Sequence, residues 1–187
     1  MTLPSVGAAA VVQRVVELVD AVERTTDRID QRSAVIGVFE RWNDGPDAAL
    51  DARFDRVIAA IARLSQIFDD IDADRSAALI NGWFNDVAAT PRLVREPVWG
   101  WHIHVDPPDA DWSTWLLASS ALGFAALLAE RDHVPWGRCD DDGCRRPYLD
   151  RGRRTAQRYC SPTCASRARV RRHRARTDNE SRHAQAR

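Results

Sequence analysis

Cys139-Asp140-Asp141-Asp142-Gly143-Cys144, then fifteen residues, then Cys160-Ser161-Pro162-Thr163-Cys164 together hold every cysteine of this 187-residue chain. Two close pairs joined by a short arm give the spacing at which four thiolates reach one tetrahedral Zn(II), whose sulfur bonds are about 2.3 Å long. Cys139, Cys144, Cys160 and Cys164 are therefore the expected ligands of one structural zinc ion. Two disulfides and four free thiols are the alternatives. Disulfides need an oxidising compartment. The first residues carry no basic region, and the apolar start is broken at Gln13 and Arg14, so no secretory signal is expected. His133 or His173 could replace a sulfur, but four cysteines make that unnecessary, and both are expected to be solvated.

The second pair falls where a helix should begin. Ser161 and Thr163 are good N-cap residues, Pro162 suits a first turn, and Ala165 to Arg176 holds no breaker. The first pair sits in a turn. One knuckle and one helix start would thus clamp the ion, the outline of a small treble-clef-like finger. Four thiolates fill the tetrahedron and leave no open position for water, so the ion is expected to be structural and not catalytic. About 25 residues bury too little to fold alone, and structural zinc contributes roughly 10 to 16 kcal/mol of apparent binding free energy.

The ordered string Tyr148-Leu149-Asp150, the Arg-rich arm Arg151 to Arg158, Tyr159-Cys160-Ser161 and Cys164-Ala165-Ser166-Arg167 resembles the bacterial CGNR-type zinc finger. That family's Cys-Gly-Asn-Arg tetrad keeps its Cys and Arg here and lacks its Gly and Asn. Further upstream, an Asn-bearing helix, Pro91-Arg92-Leu93-Val94, a hairpin and an Ala/Leu-rich helix running into the first Cys are similar to the ABATE domain that precedes such fingers. The combined resemblance implies a bacterial transcription regulator acting in stress responses.

The net charge of zero conceals a division. Residues 1–138 hold 13 Arg against 21 acids, a charge of −8, and residues 139–187 hold 14 Arg against 6 acids, a charge of +8. All 27 basic residues are Arg, the composition a GC-rich genome favours. Arg167, Arg169, Arg171, Arg172, Arg174 and Arg176 run without an acid until Asp178. At about 100 degrees per residue, Arg167, Arg171 and Arg174 share one helix face, and Arg169, Arg172 and Arg176 share the opposite one. A helix studded with Arg on both sides repels itself unless a polyanion accompanies it, and Arg suits phosphate forks and guanine edges. These six, with Arg153, Arg154 and Arg158, are the candidate nucleic-acid contacts. DNA is the expected partner, RNA the second. A solvated tail, or one paired with an acidic protein surface or with the chain's own acidic body, is the competing reading.

The remainder reads as a helical body over residues 1–135, a finger over 136–177 and a flexible tail over 178–187. Helical spacing predicts helices near 8–30 (Val11, Val15, Leu18, Val22), 33–42, from Asp47 to Phe68, and 73–88. The acids Asp69, Asp70, Asp72 and Asp74 lack the Gly and terminal Glu of a calcium loop and are expected to form a solvated turn. A hairpin is expected over 92–105, with Trp99, Trp101, Ile103 and Val105 on one side and His102 and His104 on the other. Two such histidines can ligate a metal, but surface or hairpin packing is the expectation. A flat ligand between Trp99 and Trp101 is a further idea. Trp112 to Arg131, apolar nearly all round, should be the bundle's central helix, capped by Asp111 or Ser113.

The fold class expected is thus mainly α: a helical bundle with one β-hairpin, then the finger. No nucleophile elbow, phosphate-binding Gly loop, HExxH or dinucleotide fingerprint occurs, so no enzyme is expected. With no apolar run near 18 residues, the expectation is a cytoplasmic protein without a membrane partner. A homodimer, or a small-molecule ligand in the body, are further partners the body would suit.

Overall fold

The computed structural model describes residues 7–45, 50, 53–88, 90–96, 100–152 and 156–185. Helix α1 (Ala8–Arg24) buries the stripe Val11, Val12, Val15, Val16, Leu18 and Val19. It ends earlier than its periodicity suggests. Thr25 is extended, and the Asp27 carboxylate caps α2 (Arg28–Arg41) by accepting from the Ile29 and Asp30 amides at 2.8 and 3.1 Å. Such a cap stabilises a helix by about 0.5–2 kcal/mol, so the two helices expected near 8–30 and 33–42 are present with the break between them moved back to 25–27.

Helix α3 (Phe54–Ser65) follows and turns into a 3-10 segment over Gln66–Asp69 that buries Ile67 and Phe68. Asp47, expected to cap this helix, lies outside the described residues. The acidic knot closes on itself. Asp70 accepts from Arg75 at 2.5 and 3.0 Å, and Asp72 caps α4 (Ala73–Val87) through the Arg75 amide. The knot is therefore a paired and capping turn.

Helix α5 (Trp112–Arg131) runs through the middle, with α1, α3 and α4 packed around it. Asp111 caps it, accepting from the Thr114 amide at 3.0 Å and the Ser113 hydroxyl at 2.7 Å. By length and apolarity this helix could cross a membrane, but most of its residues, Trp115, Leu116, Phe124 and Leu127 among them, are buried inside the bundle. At Gly123 a Cβ would meet the Val11 side chain at 2.5 Å, so glycine here permits the close approach of α1 and α5.

A buried ion pair lies in this core. The Arg14 guanidinium donates to both Asp44 carboxylate oxygens at 3.0 and 3.1 Å and to Ser119 Oγ at 3.0 Å, and lies 4.6 Å over the Trp115 ring. It ties α1, the turn after α2 and α5 together.

The hairpin pairs β1 (Arg92–Glu96) with β2 (Gly100–His104) antiparallel, with Leu93 opposite Ile103 and Arg95 opposite Trp101. The expected grouping holds for Trp101 and Ile103 on one side and His102 and His104 on the other, but not for Val105. Trp101 is 65% exposed, and Leu93 and Ile103 also face water, whereas His102 and His104 are buried. Val105 is buried where the chain leaves the strand, and Trp99 lies outside the described residues. Alternation fixes which side chains share a face, but not which face turns inward.

Strands β3 (Trp136–Arg138) and β4 (Pro147–Leu149) form a second antiparallel pair, absent from the expectation, that opens the finger. Trp136 inserts into the body core, its ring 4.9 Å from that of Phe124, which also meets Phe68 and Trp83 at 5.9 Å. Burying such a side chain is worth about 1.5–3 kcal/mol. The finger is therefore anchored through its own first residue. Helix α6 (Pro162–Gln185) ends the chain's described part and continues past Thr177, where a tail was expected to begin.

Candidate metal centre and basic helix

Strand β3 delivers Cys139 into the interior, fully buried, with its amide bonded to the Arg146 carbonyl at 2.9 Å. The knuckle that follows is closed by the Cys144 amide on the Asp141 carbonyl at 2.7 Å. On the other side Cys160 precedes α6 and Cys164 stands in its first turn. The Ser161 hydroxyl accepts from the Cys164 amide at 3.2 Å, the cap that the sequence led one to expect.

The four Sγ atoms all lie within 4.8 Å of one another. Cys144 to Cys160 is 3.6 Å and Cys160 to Cys164 is 3.7 Å. A disulfide needs about 2.05 Å, so these are four separate thiols. A tetrahedron with 2.3 Å bonds has edges of about 3.8 Å. The donor set and its spacing fit one structural zinc ion held by Cys139, Cys144, Cys160 and Cys164. Burial pushes the Cys139 and Cys160 thiols up from their ordinary range, while the Ser161 hydroxyl pulls Cys164 down. Burial thus opposes thiolate formation at two of the four positions, and a bound cation is what offsets it.

A residue that sequence reasoning passed over completes the site. Asp141 is fully buried, and its carboxylate accepts from Arg167 Nε at 2.9 Å and from the Arg171 guanidinium. Arg167 also reaches Cys164 Sγ at 3.1 Å. These hydrogen bonds hold the Asp141 carboxyl below its usual range, the Arg171 bond foremost. Two arginines one helical turn apart thus grip the knuckle from α6, and through it orient the helix on the metal site. The signal was present as an acid between the first cysteine pair and arginines at i and i+4 after the last cysteine.

The nine candidate nucleic-acid residues are therefore not equivalent. Arg167 and Arg171 are committed to Asp141, and Arg158 donates to Asp140 at 2.7 Å. Arg153 and Arg154 lie outside the described residues. Arg169, Arg172, Arg174 and Arg176 are exposed on α6. The helix is not without an apolar root, since Cys164 and Ala168 are buried against the finger.

Other finger arginines meet the acidic body. Arg138 donates to Glu23 at 2.5 and 2.9 Å and to Asp69 at 3.1 Å, Arg146 to Asp20 at 2.6 Å, and Arg145 lies 3.6 Å from Asp69. Self-pairing thus occurs, but from β3 and the knuckle. Between α1 and the finger lies an open cleft of about 710 Å3, lined by Asp20, Arg151, Tyr159, Ser166 and Arg169 among others. It opens beside α6, away from the Trp hairpin to which the sequence drew attention. Burial pushes the Tyr148 hydroxyl on its wall up to about 12, and it donates to the Gln157 carbonyl at 2.6 Å.

Residues 136–177 match the family described as CGNR zinc finger. No curated protein matches the chain.

Proposed function

We propose that this protein binds nucleic acid, DNA before RNA, through the exposed arginines of α6, and acts as a transcription regulator whose helical body receives a signal or dimerises. The reading rests on one observation above all: a zinc-rooted helix carries Arg169, Arg172, Arg174 and Arg176 exposed, while Arg167 and Arg171 fix its orientation. Exposed guanidinium groups on a rigid helix meet phosphates and groove edges at no ordering cost to the scaffold. The resemblance of the body to an ABATE domain agrees with a regulator. We assign the chain no catalytic role, a cytoplasmic setting and no membrane partner.

Duplex selection from a random library with the wild type and a Cys160→Ser, Cys164→Ser variant tests this. The wild type should enrich bound duplex, and the variant should lose it. Recovery that does not depend on the cysteines would contradict the reading.

A second reading has its own support. The finger's Arg138, Arg145 and Arg146 already bind carboxylates, the chemistry by which the finger would serve as a zinc-stapled module that presents arginine to an acidic protein surface. Partner capture that survives nuclease treatment would favour this second reading.

A further inference from the structure

The cleft of about 710 Å3 has one wall from the body and one from the finger. Gln13, Val16, Glu17 and Asp20 of α1 form the first. Strand β4, the arm after it and the first turns of α6 form the second, with Arg151, Tyr159 and Arg169 among them. Its volume lies inside the range of about 300–1,000 Å3 that small-molecule sites occupy.

Four arginines and two acids line the cleft, and most of this charge is already matched. The Glu17 carboxylate accepts from Arg41 at 3.3 Å and from the Trp42 indole at 3.2 Å. Asp20 accepts from Arg146 at 2.6 Å, and Arg158 donates to Asp140 at 2.7 Å. Arg151 and Arg169 remain. Among the described residues neither makes a hydrogen bond or an ion pair. Because the acids of the α1 wall are taken, no internal carboxylate competes for these two guanidiniums. The same cleft offers apolar surface from Val16 and Leu149, each 8% exposed, and from the half-buried Tyr159.

We infer that the cleft binds a small organic anion, a carboxylate or phosphate ester on a compact ring-bearing body, whose oxygens Arg151 and Arg169 take through charge-assisted hydrogen bonds. A nucleic-acid backbone suits it less. Glu17 and Asp20 repel a strand charged at every step, whereas a ligand with one or two charges is met by the two unmatched arginines. Arg169 also belongs to the exposed set on α6, so the ligand and DNA compete for it. This regulatory half rests on the nucleic-acid reading above, and the binding itself does not. Linkage makes the competition reciprocal: the factor by which the ligand weakens DNA binding is the factor by which DNA weakens the ligand's.

The test titrates full-length, zinc-loaded protein, without DNA and at constant ionic strength, with benzoate and with phenyl phosphate, followed by 1H–15N spectra. Saturable shifts are expected on both walls at once, at Gln13 and Val16 and at Tyr159 and Ser166. One probe should bind at least about 10-fold more tightly than inorganic phosphate, and that probe identifies the head group. Arg151→Gln, Arg169→Gln should weaken it about 10-fold or more with zinc content and the remaining spectrum as in the wild type, which separates the loss from misfolding. No saturable shift with either probe, shifts confined to residues 170–176, inorganic phosphate bound as tightly, or a double variant of unchanged affinity would overturn the site. In a second arm, saturating probe should weaken duplex binding and lower the magnitude of its salt slope by about 0.9, the share of one phosphate contact. Unaltered duplex affinity would strike out the competition. A protein that takes the probe but no duplex would fail the nucleic-acid reading and leave the cleft assignment standing.

Discussion

Neutralising Arg169 and Arg172 together, as Arg169→Gln, Arg172→Gln, should flatten the salt dependence of DNA binding without loosening the finger. Both side chains are exposed on α6. Each phosphate contact contributes about −0.9 to the slope of log affinity against log salt. Four exposed arginines, at 169, 172, 174 and 176, give a slope near −3.6, smaller than the six-arginine run alone would suggest, because Arg167 and Arg171 are spent on Asp141. Between 50 and 200 mM salt the wild type should lose about 150-fold in affinity, and the double variant, with a slope near −1.8, only about 12-fold. Fluorescence anisotropy of a labelled duplex across that range measures both slopes, with zinc content measured alongside. The counterpart Arg167→Gln, Arg171→Gln should instead lose zinc retention. A slope unmoved by the first pair, or a second pair that flattens the slope with zinc retained, would refute the division of the α6 arginines into a bracing pair and a binding set.

Three further outcomes follow from single residues. Asp141→Asn should weaken zinc affinity about 10- to 100-fold, since it releases the two arginines that orient α6 and shield Cys164; competition with a chromophoric chelator reads this, and an unchanged affinity would remove Asp141 from the site. Asp44→Ala should destabilise the body by about 3–5 kcal/mol, because Arg14 is left charged and unpaired in the core; urea denaturation checks it, and a loss under about 1 kcal/mol would mean that water reaches Arg14. Asp111→Ala should cost about 0.5–2 kcal/mol at neutral pH through the lost cap of α5. Although burial alone would raise it, hydrogen bonds from Ser113, Thr114 and Arg53 hold the Asp111 carboxyl well below its usual range. Its contribution is therefore present above the unfolded carboxylate range, near pH 4, and is lost only as pH falls through the depressed folded value. The gap between variant and wild type should persist at pH 5 and close in stronger acid. A gap that closed by pH 5 would contradict the assignment.

The metal site was legible because thiolate spacing is nearly a geometric statement, and the central helix because Trp112 to Arg131 is apolar on every side. The caps were equally readable where a side chain acts on its own neighbours, as Asp111 and Ser161 do. What the sequence left open depended on contacts distant along the chain. Asp141 meets Arg167 and Arg171 across 26 and 30 residues, and charge counting alone placed those arginines among the nucleic-acid contacts. The hairpin's alternation grouped His102 with His104 and Trp101 with Ile103, but which face turns inward was not carried by the pattern. The break between α1 and α2 falls in the polar run Glu23–Arg28, where the apolar rhythm has already stopped at Val22 and Asp27 caps the next helix.

X-ray absorption at the zinc edge, on protein loaded with one equivalent of Zn(II), tests the central claim most directly. Four sulfur neighbours near 2.3 Å with no lighter atom in the shell is the predicted result. Nitrogen or oxygen in that shell, or sulfurs recovered as disulfides with no ion bound, would contradict it.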